Sequence, residues 1–206
     1  MEHSSMVDVV SHHFFPTVIH EFNLDIDTLD KKHMVDYIKK GEKKPNGMIQ
    51  TEDNVHKMSY FKKFKDEIIE LNKKILDKLG YEYEDVNITS MWGNVLHPGQ
   101  AHSPHTHSNN FLSGVLFLQS DDLSGGLEFF DPRSQALVLC PRIKKGNAIN
   151  ANSVRFNPRE NMGVIFPSWL QHWVQTNNSQ ERVSISWNTL AKGHYGAPEG
   201  KANAYI

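Results

Sequence analysis

The densest run of metal-binding side chains is Leu96-His97-Pro98-Gly99-Gln100-Ala101-His102-Ser103-Pro104-His105-Thr106-His107, which carries four of the 12 histidines. If Pro104 closes a loop and the next residues are extended, His105 and His107 project from one strand face, because strand side chains alternate with period two. Two imidazoles on one face can chelate one ion. His172, in Phe166-Pro167-Ser168-Trp169-Leu170-Gln171-His172-Trp173-Val174, is the natural third ligand, since one apolar run breaks there and another begins. Three protein ligands leave coordination positions open, as a catalytic metal requires. Further on, Arg182-Val183-Ser184 again puts two side chains on one face, a guanidinium that can hold a carboxylate bidentately and a hydroxyl. Taken singly, a His-x-His pair is often a surface feature and a strand arginine is often solvated or salt-bridged. The conjunction of three imidazoles with an anion clamp is what argues for a metal centre.

These residues need a scaffold. Beyond residue 85 the chain consists of short apolar or alternating runs separated by Gly, Pro, Asn and Asp, which read as strands at Val86–Leu96, Leu112–Gln119, Leu127–Phe130, Ala136–Leu139, Asn152–Phe156, Met162–Phe166, Trp173–Thr176 and Arg182–Leu190. Many short antiparallel strands in so few residues imply a sandwich or jelly-roll barrel. Upstream, Phe14 to Ile19 reads as a short strand or extended arm. Asp25 or Asp27 could cap a helix carrying Leu29, Met34 and Ile38 and ending near Gly41. Met58, Phe61, Phe64, Ile68, Leu71, Ile75 and Leu79 then recur at helical spacing, with Gly80 where a left-handed C-cap belongs. The expected organisation is one domain: an N-terminal arm and helices over 1–84, a β core over 85–192 and a tail or flap over 193–206.

Composition limits the alternatives. The 206 residues carry a formal charge of −2, with basic residues spread along the chain and no footprint of a dedicated nucleic-acid binder. Cys140 is the only cysteine, which rules out an internal disulfide framework and a cysteine-based zinc cluster and suits a reducing, cytoplasmic setting. Met1 to Ser11 lacks a basic segment followed by an apolar one, and no run approaches membrane-spanning length, so neither secretion nor membrane insertion is expected. A homodimer through the long helix and intramolecular packing of that helix are equally compatible with its stripe.

The order of these motifs resembles the iron(II) and 2-oxoglutarate-dependent oxygenases of the prolyl-hydroxylase type, over roughly residues 90 to 190. In that family a His-x-Asp pair, a strand with a Gly-Gly turn after it, a distal His and an Arg-x-Ser follow in turn. Here His105-Thr106-His107 stands first, then Ser113-Gly114-Val115-Leu116-Phe117-Leu118, then Gly125-Gly126-Leu127-Glu128-Phe129-Phe130-Asp131-Pro132-Arg133, then His172 and Arg182-Val183-Ser184. The wording of these segments is most similar to a bacterial and phage branch. The resemblance implies a double-stranded β-helix, mainly β with supporting N-terminal helices and cupin-like in outline. It implies iron(II) on His105, His107 and His172, 2-oxoglutarate as co-substrate with O2, Arg182 pairing with the distal carboxylate and Ser184 donating to it. It also implies hydroxylation of a C–H bond in a small-molecule or peptide substrate, with release of succinate and CO2.

One departure stands out. His107 occupies the position of the family's aspartate ligand, so the site would be one unit more positive and open to competition from zinc or nickel. Alternatively His107 turns away, leaving two histidines with water or a carboxylate from Glu128 or Asp131. On the strand before the cluster, an inward Asn94 could hydrogen-bond the keto acid and Trp92 could wall the pocket, although a buried Trp is usually packing. Asn188 points into the barrel or caps its rim, and Arg133 either meets an anionic substrate or pairs with Asp131. Two other classes remain open: a cupin-like three-histidine enzyme that does not use 2-oxoglutarate, which has no need of Arg182-x-Ser184, and a non-catalytic jelly-roll binding protein, which has no need of the histidines. Substrate choice is expected to lie with the N-terminal helices, the loop from Gln119 to Gly125, and Pro141 to Asn152 with its basic Arg142, Lys144 and Lys145.

Overall fold

The computed structural model describes residues 9–206. Its strands are β1 (His20–Asn23), β2 (Glu42–Lys43), β3 (Ile49–Gln50), β4 (Asp85–Leu96), β5 (His102–His105), β6 (Leu112–Gln119), β7 (Leu127–Phe130), β8 (Ser153–Phe156), β9 (Met162–Pro167), β10 (His172–Val174), β11 (Arg182–Lys192), β12 (His194–Tyr195) and β13 (Ala204–Tyr205). The helices are α1 (Thr28–Ile38) and α2 (Lys62–Leu79). A seven-stranded sheet has the order β1-β9-β6-β11-β4-β3-β2, and a four-stranded sheet has the order β5-β10-β7-β8. This is the jelly-roll arrangement expected from the sequence. No strand is shared between the sheets, so they do not close into a barrel.

Period-two alternation sorts the large sheet into two faces. On β6, Val115 and Phe117 turn toward the small sheet and pack with its Leu127, Phe129 and Val174, while Leu116 and Leu118 turn the other way, toward the helices. Buried on both sides, β6 carries the continuous apolar run Val115–Leu118. On β11 the same alternation sends Val183, Ile185 and Trp187 to the helix side and leaves Arg182, Ser184 and Ser186 facing the small sheet. A polar stripe thus lies inside the sandwich, where only a ligand or a hydrogen-bond network can satisfy it.

Both helices form as expected and cover the outer face of the large sheet. Asp27 caps α1, its Oδ1 accepting from the amides of Leu29 at 2.9 Å and Asp30 at 3.3 Å. Met34 and Ile38 are buried, but Leu29 is exposed. A short 3-10 turn, Ser59–Phe61, leads into α2, which ends at Gly80 with φ 75°, a left-handed conformation suited to glycine. Phe64, Ile68, Ile75 and Leu76 bury its inner face, each worth about 1.5–3 kcal/mol relative to exposure. Asn72 ties the helix to the sheet, accepting from Thr189 Oγ1 at 3.1 Å.

One expected strand is absent, and two segments whose form was left open take a definite one. Phe14 and Phe15 are exposed and outside any strand, and the first strand starts at His20, where the backbone can pair with β9. Ala136–Leu139 is not a strand: a 3-10 turn spans Ser134–Leu137 within the long β7–β8 connection. The tail is a small hairpin, β12 with β13, carried by backbone hydrogen bonds between Gly193 and Ile206. Among the described residues no helix is long and apolar enough to cross a membrane.

Candidate metal centre

The small sheet brings the two histidine segments together. β5 and β10 are antiparallel, with His105 opposite His172 and His102 opposite Val174. Two steps along β10 therefore match three along β5, a bulge that turns both His102 and His105 toward the cavity although they are three residues apart. β5 ends at His105, so His107 arrives from the following loop and not from the same strand face as expected. Its amide donates to the Ser168 carbonyl at 2.9 Å, which fixes that loop to the turn preceding His172.

One nitrogen each of His105, His107 and His172 lies within 4.8 Å of the other two, and this is the single metal-competent cluster among the described residues. The tautomers are set by the backbone. His172 Nδ1 lies 2.9 Å from the Leu170 carbonyl and His105 Nδ1 lies 2.8 Å from the Ser103 carbonyl. A carbonyl only accepts, so each Nδ1 carries the proton and each Nε2 offers its lone pair, the usual arrangement of metal-bound imidazole. Burial pushes His172 down to about 3 despite the opposing hydrogen bond to Leu170, and pushes His107 down to about 4 with help from His105. Both rings are thus neutral, the form that ligates. An all-imidazole donor set fits iron as well as zinc, copper or nickel.

The two carboxylates that might have completed the site are engaged elsewhere. Glu128 faces the outer side of the small sheet, accepting from Ser153 at 2.6 Å, Trp173 Nε1 at 3.0 Å and Gln175 at 2.8 Å. Those bonds, that from Ser153 foremost, hold its carboxyl below the usual range. Asp131 accepts from the amide and guanidinium of Arg133 at 2.8 to 3.0 Å, so Arg133 pairs with it.

Arg182 sits in the same cavity, 1% exposed. Its Nη1 donates to Ser184 Oγ at 3.3 Å and its guanidinium stacks 4.8 Å over Phe117. Nε and Nη2 have no acceptor among the described residues. Burial alone pushes its pKa down to about 10. A buried guanidinium with two unmet donors is a receptor for a planar anion. Asn94 also lines this cavity, and Gln50 donates to its Oδ1 at 3.0 Å, leaving the Nδ2 donors for a ligand. Trp92 packs beside His107 with ring centroids 5.8 Å apart.

One cavity group, His102, and one residue that braces a cavity group, Gln50 behind Asn94, escape the sequence reading. His102 looks outward by strict alternation, and only the bulge turns it in. Gln50 comes from a two-residue strand with no chemical signature. The expected specificity elements also need correction: α1 and α2 cover the far side of the large sheet, and the Gln119–Gly125 loop packs at the Arg182 end, where Asn177 Oδ1 accepts from the Gly125 amide. The β7–β8 connection lies at the metal end instead, since Phe130 donates to the Gln171 carbonyl next to His172.

A buried hydroxyl chain holds the His172 turn. Ser113 donates to Asn188 Oδ1 at 2.7 Å, so the 2.8 Å contact between Ser113 and Ser168 must be donated by Ser168, and Asn188 in turn donates to Ser90 at 3.0 Å. Asn188 is therefore a bracing residue. Ser113→Ala leaves two buried polar groups unmatched and should cost about 1–3 kcal/mol in urea unfolding. An unchanged midpoint would show that water replaces the hydroxyl.

Residues 90–188 match the family model described as "Putative 2OG-Fe(II) oxygenase". The fold is similar to that of a Pseudomonas putida prolyl-4-hydroxylase, with TM-score 0.59 and 14% identity, covering 84% of this chain and 92% of that one. It is similar to the viral collagen prolyl hydroxylase of Paramecium bursaria Chlorella virus-1 in its 2OG complex, with TM-score 0.56 and 12% identity over 84% and 96%. It is also similar to the epimerase SnoN in complex with Fe3+, alpha ketoglutarate and nogalamycin RO, with TM-score 0.64 and 11% identity over 90% and 88%. At these identities the likeness is one of fold. No curated protein matches the sequence.

Proposed function

We propose, from the match of residues 90–188 to the 2-oxoglutarate and iron(II) oxygenase model, that this enzyme hydroxylates a C–H bond of a peptide or small-molecule substrate, with His105, His107 and His172 as the iron ligands. Iron(II), 2-oxoglutarate and O2 together supply the oxidising chemistry, with succinate and CO2 as products. The protein's contribution is positioning. The backbone carbonyls of Ser103 and Leu170 aim the Nε2 lone pairs of His105 and His172 at one point. Arg182 and Ser184 receive the distal carboxylate of the co-substrate, Asn94 donates to its keto-acid end under the control of Gln50, and Trp92 walls the ligand side of His107.

The observation that carries this reading is the buried Arg182 guanidinium, whose Nε and Nη2 are unmet in the same cavity as the three histidines. A cupin-like enzyme without 2-oxoglutarate would leave that charge with no purpose, and a binding scaffold would not need the neutral imidazoles. Substrate approaches over the β7–β8 connection, whose groove is lined by Leu139, Ile143 and Ile149 beside Arg142, Lys144 and Lys145. These three cations have no ion-pair partner among the described residues, so an acidic group on the substrate would be accommodated there. With one cysteine, the chain suits a reducing cytoplasm.

The test is succinate formation from 2-oxoglutarate by anaerobically iron-loaded protein on exposure to oxygen. Slow turnover without prime substrate is expected and should depend on both iron and 2-oxoglutarate. Iron binding with no turnover and no 2-oxoglutarate-dependent change in the metal's spectrum would reject the assignment.

A further inference from the structure

His102 shares the cavity with Arg182, Ser184 and the three candidate ligands. The β5 bulge puts it there, opposite Val174 and with its ring centroid 6.2 Å from that of His105. Neither of its ring nitrogens has a hydrogen-bond partner among the described residues, and the Arg182 charge is felt at its ring. A half-buried imidazole that faces the cavity of a buried guanidinium and is committed to no protein partner can donate to an anion held there. His102 lies outside the three-nitrogen metal cluster. A carboxylate offers about four lone-pair sites, of which a bidentate guanidinium uses two, and room remains for another donor.

We propose that His102 is that donor: it hydrogen-bonds the distal carboxylate of the co-substrate beside Arg182 and helps select a dicarboxylic keto acid. The proposal rests on reading the cavity as a 2-oxoglutarate site. On this view the bulge is a binding device that places a second donor on the anion without adding a second permanent cation.

The test uses manganese-loaded protein, so that binding is read without turnover. Calorimetry compares 2-oxoglutarate with oxalate, which offers the chelating end and lacks the distal carboxylate. His102→Phe should weaken 2-oxoglutarate by about tenfold or more, the loss of one hydrogen bond to a charged group. Oxalate and manganese affinities should stay within about threefold of wild type, and His102→Gln, which keeps a donor, should recover most of the loss. His102→Met serves the same purpose if the Phe variant does not fold. Equal weakening of both ligands would make His102 a packing residue, loss of manganese would make it a metal ligand, and unchanged 2-oxoglutarate binding would remove it from the site; each overturns the proposal. Wild-type protein that binds oxalate but not 2-oxoglutarate would overturn the co-substrate reading itself.

Discussion

Arg182→Met should yield a protein that no longer binds 2-oxoglutarate and is nonetheless harder to unfold. The guanidinium is fully buried with two unmet donors, and burial depresses its pKa to about 10. The ion is charged in both folded and unfolded protein at neutral pH, so the penalty is complete below about pH 10 and fades as pH rises through that value; it amounts to roughly 3 kcal/mol. Replacing an uncompensated buried ion by an apolar side chain of similar length is often stabilising by about 1–4 kcal/mol. Binding should move the opposite way. A buried charge pair with one partner removed loses about 3–5 kcal/mol, about one hundred- to several thousandfold in affinity. Wild-type protein should gain about 2.7 kcal/mol of stability at a hundredfold excess of 2-oxoglutarate over its Kd, and the variant none. Thermal unfolding with and without the ligand measures both effects. A variant that is less stable and still responds to 2-oxoglutarate would mean that the carboxylate is held elsewhere.

The second large effect is at the metal. His172→Ala removes the buried, preoriented candidate ligand and should abolish iron-dependent turnover by on the order of a thousandfold or more. His107 gives a sharper comparison, because it comes from a loop and no backbone carbonyl fixes its ring among the described residues. His107→Ala should behave like His172→Ala. His107→Asp restores the carboxylate usual in the family, lowers the charge of the site by one, and should keep turnover within about tenfold while shifting preference from zinc toward iron and manganese. Metal content after loading, read beside succinate formation, decides the matter. Full activity in His107→Ala would remove that residue from the ligand set, and failure of His107→Asp to hold iron would show that the site needs a neutral third ligand.

The parts of this protein legible from sequence are those governed by one local rule. The α2 stripe and its Gly80 cap follow from helical spacing, the Asp27 cap follows from side-chain chemistry, and the two-sided burial of β6 is visible in its continuous apolar run. His105, His172 and Arg182 were recognisable from residue type and order, and the structure brings them into one cavity. What was not legible depends on pairing between distant segments. His102 needs a register shift set by β10, Gln50 needs a short strand laid against β4, and the 3-10 turn at Ser134–Leu137 stands where a strand was expected, in a connection that pairs with neither sheet. Period-two counting cannot anticipate a bulge, since the bulge is the exception to that count.

The pairing of β5 with β10 also dictates a timetable. The ribosome delivers His105 and His107 well before His172, and Arg182 later still, while β4 cannot find its neighbour β11 until Arg182–Lys192 has emerged. The nascent polypeptide therefore carries a half-formed chelate with no partner strand and no anion clamp. Productive loading must wait for the last strands, so the fold itself delays assembly of an oxidising centre until the sandwich that encloses it is complete.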